Sequence, residues 1–130
     1  MSRARNILGI IAAVILLLSS VAHSLMGWPA IRAKLAESNV PADLVFGLQI
    51  GWQFGGVCMV VFAVILIALF MHRIRGEAVS TLPALAIGIA YVVFGAGALA
   101  VGKDPFFLIF IVPGVLLLIA GTGSRVRLSS

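Results

Sequence analysis

Residues 44–71 read LVFGLQIGWQFGGVCMVVFAVILIALFM, twenty-eight positions without a charged side chain. The hydrocarbon core of a bilayer is about 30 Å thick, so a spanning helix needs about 20 mainly apolar residues. This stretch exceeds that length, which predicts a helix that tilts or projects at one end. Three further apolar runs flank it, at 7–26, 82–101 and 106–120. Together they predict an all-α integral membrane protein: one domain, four transmembrane helices in an up-down bundle. Composition agrees, with 62% hydrophobic and 10% charged residues, against about 45–50% and about 25% in soluble domains. A mean hydropathy of +1.23 leaves nothing from which to build a separate water-soluble catalytic unit.

Charge sets the expected orientation. Arg3, Arg5, Arg73, Arg75, Arg125 and Arg127 fall on one side of the four runs, against Arg32, Lys34 and Lys103 on the other. Cytoplasmic loops carry the excess of Lys and Arg, so both termini are expected in the cytoplasm of a bacterial cell and the chain in its inner membrane as a multi-pass protein. A net charge of +5 invites a nucleic-acid reading, but the basic residues stand in ones and twos at the ends of apolar runs rather than as a patch. The partner they imply is the lipid bilayer. Cys58 is the single cysteine, so no intrachain disulfide and no paired-thiol motif exists.

Arg3, Arg5, the apolar run from Ile7 and the triplet Ser20-Val21-Ala22 also match the pattern of a cleavable leader. Continuation of the apolar run to Met26 favours a span. Residues 27–43 are expected to form an outer loop, in which Ala30 to Ser38 carries the pattern of a short amphipathic helix suited to a lipid surface. Pro41 should break the chain and Asp43 cap the helix that follows. Lys103-Asp104-Pro105 reads as a tight hairpin.

Helix faces carry most of the remaining information. In the first helix Asn6, Gly9, Ala13, Leu16, Ser20, His23 and Gly27 recur at steps of three and four, a stripe that should face protein. The third helix repeats this with Thr81, Ala84, Gly88, Tyr91, Gly95, Ala98 and Gly102. The second helix offers Gly47, Gly51 and Gly55 on one side and Gln49 and Gln53 on roughly the other. The glycines should pack closely against another helix, in this chain or another subunit, so that enlarging Gly51 overpacks the contact. The fourth helix has no polar side chain and is expected to be the most exposed to lipid.

No Asp or Glu lies inside any span, so the small multidrug transporters, which depend on a membrane-embedded glutamate, are rejected. His23, Cys58 and Tyr91 are the titratable groups at membrane depth, and no acid accompanies His23 to make a catalytic constellation. No catalytic residue and no cofactor is expected. A metal or haem would want a second strong ligand, and His72 lies on the opposite side of the membrane. An intramembrane ionisable residue is nonetheless a functional candidate. The expected centre is His23 hydrogen-bonded to Gln49 or Gln53, with Trp52 and Tyr91 as further lining residues. Trp28 and Trp52 suit the outer aromatic belt.

The run His23-Ser24-Leu25-Met26-Gly27, then a short basic loop and Gly51-Trp52-Gln53, resembles a pattern in small four-helix bacterial membrane proteins of unknown function. The likeness covers the first half of the chain. It implies the same fold and brings no activity. Gln53 stands where that pattern is expected to hold a histidine, which argues against a shared metal site.

These readings converge on a non-enzymatic membrane protein that acts through helix packing, with itself or with another membrane protein. The alternative is a binder or carrier of a small amphipathic molecule, a lipid or quinone, in an outer-leaflet pocket near His23. Orientation is testable by cysteine labelling in a Cys58→Ser background. Ser38→Cys should react with an impermeant reagent in intact cells and Ser129→Cys should not; the opposite pattern would invert the assignment.

Overall fold

The computed structural model describes residues 3–122, and every regular element among them is helical. Helix α1 spans Arg3–Ala22, a π turn covers His23–Gly27, and α2 spans Trp28–Ala36. Helix α3 is Ala42–Ile74 and α4 is Leu82–Gly102; a 3-10 turn at Pro105–Phe107 leads into α5, Leu108–Gly121. The π turn does not interrupt the first rod, so Arg3–Ala36 is a single helical run of 34 residues. At 1.5 Å per residue this rod is about 51 Å long, α3 about 50 Å and α4 about 32 Å. These three are long and apolar enough to cross a bilayer, and Pro105–Gly121 is a shorter apolar helix.

The expected outer loop at 27–43 is therefore mostly helix, and only the stretch 37–41 separates α2 from α3. Pro29 sits in the first turn of α2 directly after the π turn. A helical proline clashes with the carbonyl four residues back, and the wider π turn opens the chain at that point. Asp43 occupies the first turn of α3 rather than its cap. The capping position belongs to Pro41, whose carbonyl accepts from Val45 N–H at 3.1 Å. Asp43 still opposes the positive end of the helix dipole.

The other turns are built from local hydrogen bonds. After α3 the chain reverses at Gly76, φ 87°. Gly76 N–H donates to Arg73 O and Glu77 N–H to His72 O, both at 3.1 Å, the paired bonds of a Schellman end. After α4, Lys103 adopts φ 51°, and Asp104 Oδ1 accepts from Phe106 N–H at 2.8 Å. This is the tight hairpin read from Lys103-Asp104-Pro105.

Helix α1 lies along α3 with the residue numbers running in opposite senses: Gly9 meets Phe70, Ser24 meets Gly56 and Gly27 meets Trp52. Asn6, Gly9, Ala13, Leu16 and Ser20 are buried on α1, and Gly56, Ala63, Leu66, Phe70 and Arg73 on α3. Both sets advance mainly by threes, fours and sevens, the spacing that keeps two helices in contact over many turns. Helix α5 packs along α4, with Gly88 against Gly114 O and Leu117, Gly95 against Ile111, and Gly121 against Leu85. It also packs along α1, while α4 meets α3 only slightly. The order across the molecule is thus α3, α1, α5, α4.

That order reverses the expectation for the last helix. Pro113, Gly114, Leu117, Ala120 and Gly121 of α5 are buried. In an apolar medium small residues decide which helices approach closely, and α5 supplies them although it lacks polar side chains. Its final carbonyls are also claimed: Thr81 Oγ1 donates to Gly121 O at 3.0 Å, and the Arg5 guanidinium donates to Thr122 O.

Gly47 and Gly51 meet no neighbour within a single copy of the chain, since a Cβ at either would meet nothing within 4 Å, whereas one at Gly55 would lie 3.3 Å from His23 Nε2. Four residues overshoot one helical turn by about 40°. A stripe built only from steps of four therefore winds off the neighbour that its first member touches. No residue of α3 before Gly56 is buried.

The two kinds of glycine should respond oppositely to substitution. At Gly9 a Cβ would fall 2.3 Å from the ring of the fully buried Phe70. Gly9→Ala should therefore lower stability by about 1–3 kcal/mol, as overpacked cores do. Gly51→Ala meets open space and should leave the monomer unchanged or raise its stability by up to about 1 kcal/mol through helix propensity. Thermal melts of both variants in one detergent check the pair, and equal losses would contradict this packing.

Candidate functional site

The π turn at His23–Gly27 produces the densest polar contact in the long α1–α3 pair. Turns of this kind are rare and frequent at functional sites. His23 and Trp52 stack with ring centroids 4.1 Å apart and planes 3° from parallel. Each side chain also reaches the other's backbone: Trp52 Nε1 donates to His23 O at 2.7 Å, and His23 Nε2 lies 2.9 Å from Trp52 O. A carbonyl can only accept, so Nε2 must carry the proton, and a neutral ring keeps its lone pair on Nδ1. One residue further along each stretch of chain, Gln53 Nε2 donates to Ser24 O at 3.4 Å.

Glycines make this geometry possible. A Cβ on Gly27 would stand 2.8 Å from Trp52 Cζ2, and one on Gly56 would stand 2.2 Å from Ser24 Oγ. With larger residues the indole would not lie flat between the two backbones. The arrangement is a latch: two rings close over each other while two carbonyls of the π turn receive side-chain donors. An unsatisfied carbonyl in hydrocarbon costs several kcal/mol, so the donors belong where the helix is irregular.

The expected site residues separate accordingly. His23, Trp52 and Gln53 come together, but His23 bonds to the Trp52 backbone rather than to either glutamine. The expected glutamine partners lie on the same stretch of α3 as the observed one, but the ring N–H reaches a backbone carbonyl instead of a side-chain amide. Gln49 lines an open groove of about 450 Å³ with Arg32, Leu35, Val45 and Phe46, between α2 and α3. Tyr91 lies on α4 beside Phe110 of α5, ring centroids 6.2 Å apart. Gly88 and Gly95 line the α4–α5 contact, and Gly55 faces His23. Cys58 is partly buried with a free thiol. His72 pairs with Glu77 at 2.6 Å on the surface.

At the other end Asn6 is buried, as its place on the α1 stripe implies, whereas the burial of Arg73 was missed. Arg73 and Asn6 are both buried, at 7% and 5% exposure, beside a cavity between the start of α1 and the end of α3. The heptad-like spacing of Arg73 with Leu66 and Phe70 was the available signal. Among the described residues no group of three or more His, Cys, Asp or Glu side chains is positioned to hold a metal ion. Compared with known protein families, curated proteins and solved structures, the chain matches none.

The two tryptophans give a test of the latch. Trp52→Phe keeps a ring against His23 but removes the donor to its carbonyl, and should lower stability by about 0.6–1.7 kcal/mol, the range for hydrogen bonds between membrane helices. Trp28 is 5% exposed with its indole nitrogen buried and without a hydrogen-bond partner. Trp28→Phe deletes a donor that makes no bond and should cost only the packing lost with the smaller ring. Thermal melts in which Trp28→Phe is the more damaging change would refute the latch.

Proposed function

We propose that the protein is a non-enzymatic, multi-pass membrane protein that works through helix packing, self-associating along the outer end of α3. The observation that carries this reading is the bare apolar length of that end. Measured from Arg73, Trp52 lies 21 residues along α3, about 32 Å, which is close to one hydrocarbon thickness. Ten further residues, back to Ala42, lie beyond it. Leu44, Phe46 and Ile50 there are 53 to 63% exposed, with Gly47 and Gly51 open beside them. A helix of this length standing upright would lift those side chains out of the hydrocarbon. A second copy related by a two-fold axis would cover them, and the glycines would let the backbones approach.

In this reading both termini face the cytoplasm, four helices cross the bacterial inner membrane in alternating directions, and the α2–α3 end projects outward. The distribution of Lys and Arg supports the orientation. Arg3, Arg5, Arg73 and Arg75 belong to one end of the α1–α3 pair and Arg32 and Lys34 to the other. A lipid or quinone pocket at His23 draws less support, since one face of the imidazole is covered by Trp52 and Nε2 is engaged.

Disulfide trapping in native membranes tests the proposal. In a Cys58→Ser background, Gly51→Cys should oxidise to a covalent dimer, while Val101→Cys, on α4 and 88% exposed, should remain monomeric. Equal trapping at both positions would indicate random collision. A monomer at both would leave the α3 face to a different membrane protein, and self-association would be abandoned.

A further inference from the structure

We propose that the groove between α2 and the start of α3 binds a single-chain amphiphile of the fatty-carboxylate class, with its anionic head toward the membrane and its tail toward the tip of the molecule. This site does not rest on self-association. Gln49 lies about 160° around α3 from both Gly47 and Gly51, with Phe46 on the edge between the two sides. The groove has a volume of about 450 Å³, within the about 300–1,000 Å³ of small-molecule sites.

Charge selects the head. Arg32 is the one charged side chain lining the groove, and among the described residues it enters no hydrogen bond or ion pair within the chain. The half-buried Gln49 amide beside it is likewise unengaged there. A guanidinium presents paired N–H donors that match a carboxylate, and the amide adds another donor. One cation against no lining acid calls for one negative charge.

Order along the axis selects the orientation. The register that pairs Gly27 with Trp52, continued outward, sets Arg32 level with Gly47 and Leu35 level with Leu44. Passing outward, the groove offers Gln49 and Arg32, then Phe46, Val45 and Leu35, then Val40, with Asn39 at the tip. Side chains lean toward the N-terminus of their own helix. In the antiparallel α2 and α3 this draws Arg32 and Gln49 toward each other and carries Phe46 and Val45 toward the tip. The polar pair thus lies on the membrane side of the apolar wall. A phospholipid resident in the bilayer has the opposite order, headgroup outward and chains inward. Depth agrees: Gln49 stands about 36 Å along α3 from Arg73 and Val45 about 42 Å, both past the about 30 Å of hydrocarbon. The ligand is therefore one that leaves the bilayer, and a single acyl chain gives only marginal, reversible membrane binding.

Photolabelling of the full chain in phosphatidylcholine nanodiscs, with decanoate carrying a diazirine at its methyl end, tests the assignment. The readout is the labelling that excess plain decanoate removes, mapped by mass spectrometry of peptides. It should fall on residues 35–46. Decanoate should suppress it at about one tenth of the concentration that decanol needs, the factor expected of one charge-assisted hydrogen bond. Arg32→Gln, at an exposed position, should raise the decanoate concentration about tenfold, whereas Lys34→Gln, a neighbouring cation outside the groove, should leave it unchanged. If Arg32→Gln does not fold, the comparison with decanol decides alone. Equal competition by decanol, or no effect of Arg32→Gln, overturns the anionic head. Competable labelling confined to residues 49–56, or to the other helices, overturns the orientation and the site. Suppression by phosphatidylglycerol in the disc as strong as that by decanoate would assign the groove to a lipid headgroup and overturn the proposal.

Discussion

The register between α1 and α3 is fixed at two places about a bilayer thickness apart, and the other contacts depend on it. Near the termini the Phe70 ring fills the space over Gly9. Toward the far end the Trp52 indole lies against Gly27 and stacks on His23. A slip of one residue would turn each large ring away from its glycine by about 100°. Between these anchors the buried positions advance mainly by threes, fours and sevens, and the buried polar side chain there, Ser20, donates to Leu17 O of its own helix, so it does not order the seam. In lipid the hydrophobic effect does not choose between apolar neighbours. Shape has to do so, and a glycine opposite an aromatic ring is the strongest shape signal that the seam contains.

Sequence spacing revealed part of this and not the rest, for a physical reason. The α1 stripe through Asn6, Gly9, Ala13, Leu16 and Ser20 was legible because small and polar residues at mixed steps of three and four stay on one side of a helix. Gly47, Gly51 and Gly55 look equally regular on paper, but steps of four accumulate rotation and leave only Gly55 against α1. The end of the first helix was misread because Gly27 and Pro29 are ordinary signals for a loop. No local propensity announces a π turn. Its stabilisers, Trp52 and Gln53, come from a helix about thirty positions away in sequence, and single-helix patterns contain no cross-helix carbonyl acceptors. The place of α5 was hidden for the converse reason: its small residues were overlooked because polarity was taken as the marker of burial.

The two ends of the α1–α3 pair differ in kind. Around Arg5, Arg73 and Thr81 all four helical rods contribute buried residues, and α5 finishes with its carbonyls bonded to side chains from α1 and the link before α4. Around Arg32, Phe46 and Asn39 only two rods are present and nearly every side chain is accessible. Rigidity is therefore concentrated where the arginines gather, and accessible apolar surface is concentrated at the other end.

The position of α5 has a consequence for how the protein is made. Ribosomal synthesis delivers α1 before α3, α4 and α5, yet α1 and α5 lie side by side, with Arg5 bonded to Thr122. Until α5 arrives, one long side of α1 has no protein neighbour, and an arginine at the membrane edge lacks the carbonyl it will hold. A chain stalled before α5 therefore differs from a finished one in what its first helix shows to the surrounding lipid. Membrane proteases and insertases that sense unpaired helices would meet that difference at α1, although the missing element is α5.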